Sequence, residues 1–199
     1  MAVVAVGCDG PSATGPSSPG PTASAASVPT SVTPADLTAA AEALCPPTWE
    51  WVKAIGAAFN DAAEDVRSID SAEGRRARWF DALSEMRALD AGLGDTIEPW
   101  ADDPVLGPIV AQMQRDLPKA DDELDDLRSL FEQFPDLDDG PSQGRTQQLI
   151  VRVEKVIDLP KPDLDEIDPS GALGATFAAV PACQHSMKGA NDGQSRFNG

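Results

Sequence analysis

Apolar residues recur through much of this chain at alternating spacings of three and four, which places them along one face of an α-helix. The first such stripe consists of Val52, Ile55, Phe59, Ala62 and Val66. The two prolines just before it, at 46 and 47, predict the start of this helix. An apolar stripe must be covered by another, so the sequence predicts an all-α fold, an antiparallel bundle of four to five helices.

Capping residues and prolines predict where the next helices begin and end. The segment 70–73, Asp-Ser-Ala-Glu, starts a second helix, with Glu73 reaching back as in a capping box, and glycines at 92–94 end it. Its inward stripe comprises Trp79, Leu83, Met86, Leu89 or Asp90, and Leu93. Asp103-Pro104 opens a third helix, which we expect Pro118 to kink or break.

Two further helices complete the predicted bundle. One runs from about Gln143 to Leu159; its β-branched residues also permit a strand, but no second strand-like segment exists to pair with it. Asp168-Pro169 opens a shorter last helix that ends at Pro181. The domain is therefore predicted to span residues 35–187, and residues 188–199 are expected to form a disordered tail.

The charge of the chain excludes several classes of partner. It has 33 Asp and Glu against 15 Lys and Arg, a formal net charge of −18. Such a surface repels phosphates and anionic headgroups, which excludes nucleic acid and electrostatic binding to membranes. No run approaches the roughly 18 consecutive apolar residues that a transmembrane helix needs.

The first eight residues form a short apolar run that ends at Cys8. Here Ala5-Val6-Gly7-Cys8 resembles the lipobox of a bacterial lipoprotein signal, although Ala5 stands where Leu is usual. No basic residue precedes the run, which we ascribe to a start codon assigned too far downstream or to a trimmed chain. The resemblance implies cleavage before Cys8, diacylation of its thiol, and anchoring to the outer face of a bacterial membrane. High Ala, Asp and Pro with few Lys suggest a GC-rich bacterium, in our view an actinobacterium.

Residues 9–34 have the composition of a linker. They contain six Pro, six Ser and four Thr, with Asp9 as the single charge and no aromatic residue. Such a segment has too little apolar surface to offset the entropy of ordering, so we expect it to be disordered. It would span roughly 30 Å as a flexible coil and at most about 80 Å fully extended, enough to hold a domain clear of a membrane.

The two remaining cysteines, Cys45 and Cys183, lie near the two ends of the predicted domain. If the domain faces an oxidising compartment, we expect a Cys45–Cys183 disulfide that clamps the first helix to the last. The loop it closes makes that bond worth up to roughly 5 kcal/mol. In a cytosolic protein the same residues would be two reduced, buried thiols.

Two patterns of reactive residues are candidate sites. Gly140-Pro-Ser142-Gln-Gly144 matches a nucleophile elbow, with Asp163, Asp165 or Asp168 and then His185 in hydrolase order, but the strand that an elbow requires is missing. Cys183, His185 and Met187 alternate in sequence and suit Cu(I), provided that Cys183 is free and the segment extended. We therefore predict no catalytic residue, no cofactor and no metal site, with His185 and Met187 as weak candidates only.

Acidic clusters at 121–126, 136–139 and 163–166 invite a calcium interpretation that their register does not support. From Asp136, an EF-hand loop needs Gly at its sixth position and Glu at its twelfth, where this chain has Pro141 and Gln147. These clusters are interpreted as a solvated acidic face.

The sequence thus predicts a non-catalytic lipid-anchored envelope protein that presents an acidic bundle to a protein or cell-wall partner. The alternative is an extracytoplasmic carrier of an apolar ligand, haem or metal in a pocket between the helices, lined by some of the four tryptophans. In architecture the chain is similar to small disulfide-clamped helical haem-binding modules of actinobacterial envelopes. His185 is the single histidine, so it alone could supply a histidine axial ligand.

Overall fold

The structure is a computed structural model that describes residues 32–133 and 143–188. Within these ranges the chain is helical and has no β-strand, which confirms the predicted all-α class. Four long helices are α1 (Pro34–Asp65), α2 (Ala72–Ile97), α3 (Gly107–Gln133) and α4 (Gln143–Asp158). Three short helices follow: α5 (Leu164–Ile167), α6 (Ala172–Ala178) and α7 (Cys183–Ser186). Residues 1–8, the linker up to residue 31, Ser142 and residues 189–199 lie outside the described residues.

Contacts between successive long helices show that the bundle is antiparallel. Asp65 at the end of α1 pairs with Arg78 near the start of α2, whereas Trp51, further back on α1, hydrogen-bonds Asp90, further along α2. Since residue numbers rise on α1 as they fall on α2, the two helices run in opposite directions.

The other helix pairs repeat this relation. Trp79 of α2 stacks on Phe131 near the end of α3, and Arg87 of α2 faces Asp121, which lies earlier on α3. On the next pair, Asp126 and Glu123 of α3 bond in turn to Arg152 and Lys155 of α4. Helix α4 also touches α1, so the four long helices form an up-down-up-down bundle.

Helix α1 begins earlier than the sequence predicted. Thr33 caps it: its hydroxyl accepts from the Asp36 amide at 3.3 Å, and the Asp36 carboxylate accepts from the Thr33 amide at 2.9 Å. This capping box places Pro34 in the first turn, where a missing amide hydrogen costs nothing. The predicted linker and helix α1 therefore meet at residue 34.

Pro46 and Pro47 lie inside α1, so the predicted helix start at these residues is wrong. Each proline removes one intrahelical hydrogen bond, and the Thr48 hydroxyl supplies a local one by donating to the Leu44 carbonyl at 2.8 Å. The apolar face continues through them, because Leu44 and Cys45 before the prolines are fully buried. Tertiary packing on both sides thus keeps the helix continuous.

The end of α2, the start of α3 and the effect of Pro118 also differ from the prediction. The glycines at 92–94 do not end α2, which runs to Ile97 with Leu93 buried between them. Helix α3 begins at Gly107, because the Asp103 carboxylate first caps a turn by accepting from the amides of residues 105 and 106 at 2.8 Å. Pro118 is accommodated within α3, which is not broken there.

At the start of α2 the capping prediction is half right. Ser71 is the N-cap and accepts from the Gly74 amide at 3.1 Å, but the position facing the cap is Gly74, so Glu73 is not the partner of a capping box. Helix α4 has the predicted bounds within one residue.

The C-terminal segment returns along the bundle to α1. Gln112 of α3 binds the first residues of this segment. Its side chain accepts a hydrogen bond from the Asp163 amide and donates one to the Glu166 carboxylate, both at 3.1 Å. Gly171 supplies the left-handed turn (φ 77°) before α6, and the Asp168 carboxylate accepts from the Leu173 amide at 2.8 Å. Helices α6 and α7 then pack on α1.

Candidate functional site

A disulfide joins the first helix to the last. Cys45 of α1 and Cys183 of α7 are bonded, with their Cα atoms 4.8 Å apart and both side chains fully buried. Their separation in sequence is 138 residues, so the bond closes almost the whole described domain into one loop. The predicted pairing is confirmed, and we refer to Cys45–Cys183 as the clamp.

The candidate copper ligands are not brought together. Cys183 is oxidised in the clamp, and the segment forms a helical turn, so residues 183, 185 and 187 do not share one face. Met187 is buried in the core, whereas His185 is exposed and its ring lies 4.8 Å from that of Trp49. In the described ranges no group of three or more His, Cys, Asp or Glu residues could hold a metal ion.

Two of the three acids of the hydrolase pattern, Asp163 and Asp168, have structural roles. The Asp163 carboxylate accepts from the amides of Asp165 and Glu166 at 3.2 Å and caps α5, and Asp168 caps the turn into α6. Ser142, the nucleophile of that pattern, lies outside the described residues.

The acidic cluster at 121–126 is matched by basic side chains from both neighbouring helices. Arg87 of α2 pairs with Asp121 and Asp125, and Arg152 of α4 pairs with Glu123 at 3.3 Å. These carboxylates therefore form ion pairs along the sides of α3. The cluster at 136–139 lies outside the described residues.

The four tryptophans divide into two groups. Trp51 and Trp79 are buried, with 5% and 0% of their surface exposed, whereas Trp49 and Trp100 are partly exposed. Trp79 stacks on Phe131 with ring centroids 4.2 Å apart, so it belongs to the core. Trp51 instead uses its indole to bind a buried acid.

That acid is Asp90, a charged residue within the described core. Asp90 is only 3% exposed, and its Oδ1 atom accepts a hydrogen bond of 2.9 Å from the Trp51 indole nitrogen. Its second oxygen, Oδ2, is buried without a hydrogen-bond partner in the described part of the chain. The pKa of Asp90 is raised to about 7: burial is the main cause and the charge of Asp121 adds to it, while the Trp51 hydrogen bond and the charge of Arg87 oppose the rise.

Asp121 faces this acid from α3. Burial raises its pKa as well, and nearby Asp125 and Asp122 act in the same direction, against the opposing charge of Arg87. The Arg87 Nε atom lies 3.7 Å from Asp121 Oδ1, which itself is buried without a hydrogen bond. We call Asp90, Asp121, Arg87 and Trp51 the acid cluster; it joins α1, α2 and α3.

The sequence analysis did not identify the acid cluster as a site. A signal was present, since Asp90 competed with Leu89 for one position on the apolar stripe of α2, and a carboxylate on an apolar stripe predicts a buried acid. Trp51 carried no such signal, because its partner lies 39 residues away.

Fold and clamp together define the class, a disulfide-clamped antiparallel four-helix bundle with three short helices at its C-terminal end. Comparisons with protein-family models, curated proteins and solved structures find no match to this chain. Among the described helices, none combines the length and the apolar character needed to cross a membrane.

Proposed function

We propose that this chain is a non-catalytic, lipid-anchored envelope protein that presents its acidic bundle on the outer face of a bacterial membrane. The clamp is the observation that carries the proposal. Stable disulfides belong to oxidising compartments and are rare in the cytosol. With Cys45 and Cys183 joined, Cys8 is left as the third cysteine, at the position that resembles a lipobox.

The order of segments supports a tether. Helix α1 begins at Pro34, directly after the Pro- and Ser-rich residues that follow Cys8. A linker of about 26 residues gives a reach of roughly 30 Å as a coil. The bundle would therefore hang from the N-terminal end of α1 and keep its long sides open to other molecules.

The charge of the bundle supports binding to a basic partner. Several basic side chains on the long helices are paired with carboxylates of the same molecule, as Arg78 is with Asp65 and Arg152 with Asp126. The chain has 33 acidic against 15 basic residues, and many carboxylates of the described helices, such as those of Glu42, Glu64 and Asp95, are exposed to solvent. Lysine- or arginine-rich proteins, or amino groups of the cell wall, complement such a surface.

Metabolic labelling tests the anchor. Cells that express the full chain from its own gene are fed an alkyne-tagged fatty acid, and the purified protein is examined for label. We expect label on the wild-type chain and none on Cys8→Ser, with both found outside the cytoplasm. Unlabelled wild-type protein, or equal label on Cys8→Ser, contradicts the anchor.

Carbodiimide crosslinking of intact cells tests the partner, because this reagent joins carboxylates directly to the lysine amines of a neighbouring molecule. We expect a discrete adduct of higher mass that is lost in high salt, as Debye screening requires for exposed charges. Recovery of the uncrosslinked monomer alone at low salt would contradict a basic partner.

A further inference from the structure

We propose that Asp90 is a proton-dependent lock of this bundle: its neutral carboxyl group keeps α2 and α3 packed together where they meet α1, and its ionisation loosens the α2–α3 contact. The inference goes beyond the proposed function and rests on different residues. Its basis is the geometry of the acid cluster, in which a nearly fully buried carboxyl group sits where three helices meet.

The surroundings of Asp90 favour its neutral form. Only one of its oxygens receives a hydrogen bond, from Trp51 at 2.9 Å, and Oδ2 is buried without one among the described residues. A buried carboxylate normally needs several donors or a paired cation to offset the loss of water. One indole donor does not meet that requirement.

The charged neighbours act in opposite directions. From α3, the carboxyl group of Asp121 repels a charge on Asp90, and from its own helix Arg87 attracts it. Arg87 is shared, however, since it also pairs with Asp121 and Asp125. Helix α1 contributes the uncharged indole of Trp51 to this set.

Ionisation therefore places a poorly compensated charge beside a second carboxyl group at the α2–α3 contact. The charge is relieved if α2 and α3 separate and admit water. The hydrogen bond from Trp51 of α1 favours the ionised form and offsets part of this effect. A protein on the outside of a cell meets the pH of its surroundings, so such a lock would tighten the bundle in mild acid and relax it in mild alkali.

The sign and size of the effect follow from linkage. Asp90 has a pKa of about 7 in the folded chain against 3.8 for an ordinary Asp, so between these values the folded state holds more protons. Stability is then greatest in acid and falls as pH rises toward 7. From pH 5 to pH 8, the unfolding equilibrium constant should increase on the order of 100-fold through this one group.

Asp90→Asn tests the lock, because the amide is uncharged at every pH and its oxygen can still accept from Trp51. Urea unfolding of the full chain is followed at pH 5, 6, 7 and 8. The matched control is Asp81→Asn, which removes the same charge from an exposed position on the same helix. We expect Asp90→Asn to lose most of the 100-fold dependence and Asp81→Asn to keep it.

The proposal is overturned if Asp90→Asn keeps the wild-type dependence, or if Asp81→Asn loses as much of it. A direct measurement on the wild type covers a variant that fails to fold: a carbon-13 NMR titration of the Asp90 carboxyl carbon. We expect a midpoint near neutrality that moves down in Asp121→Asn. A midpoint near 4, typical of an exposed Asp, would refute the lock.

Discussion

Opening the clamp is expected to remove a large part of the stability of this domain. The bond between Cys45 and Cys183 spans 138 residues, and the chain-entropy relation for a loop of that length gives roughly 5 kcal/mol at 25 °C. Typical domains are stable by only about 5–15 kcal/mol, so the reduced form should be marginal. Helices α6 and α7 should detach first, because they are short and the clamp is their covalent tie to α1.

The assay compares one protein in two redox states, so that no side chain is changed at the clamp. The full chain carries Cys8→Ser to prevent thiol exchange, and urea unfolding is measured oxidised and after reduction in denaturant and refolding with reductant present. We expect the free energy of unfolding to fall by 3–5 kcal/mol, at or somewhat below the loop relation. A loss of less than about 1 kcal/mol would refute the reasoning, since the loop constraint would then contribute little.

Three further substitutions test single contacts. Trp79→Ala removes the stack on Phe131 from a fully buried site and should cost about 3–5 kcal/mol in urea unfolding. Asp103→Ala removes the carboxylate that accepts from two amides before α3. It should lower the free energy of unfolding by about 1 kcal/mol, which is measured as a lower thermal midpoint. Gln112→Ala frees the Asp163 amide, so hydrogen exchange there should rise by about 10-fold while the bundle stays folded.

The all-α class and the buried faces of the helices could be predicted because they depend only on the spacing of the apolar residues. Leu83, Met86 and Leu93 are all buried, as their spacing on α2 predicts. The disulfide could also be predicted, since two cysteines near the ends of one domain can meet when an antiparallel bundle returns the chain to its start.

The helix boundaries were harder to predict from the sequence, because tertiary packing overrides local signals. Pro46, Pro47 and Pro118 each cost a hydrogen bond, yet the apolar faces around them remain buried and the helices continue. Gly94 lies inside α2, where a β-carbon would meet Leu117 of α3 at an ordinary contact distance of 3.6 Å, so this glycine marks neither a close approach nor the end of the helix.

The acid cluster could not be predicted from the sequence for the same reason. The stripe on α2 could identify Asp90 as a candidate buried acid, but its partners Trp51 and Asp121 come from two other helices. Their register is set by the packing of the whole bundle, so the cluster becomes visible only in three dimensions.

The proposal of a clamped, lipid-anchored protein is tested most directly by the state of the three cysteines in protein isolated from the cells that produce it. Intact and peptide masses are measured before and after thiol alkylation without reductant. We expect no alkylation of Cys45 or Cys183 and an N-terminal peptide that begins at an acylated Cys8. Alkylated Cys45 and Cys183, or an unmodified Cys8 within an uncleaved chain, would contradict the proposal.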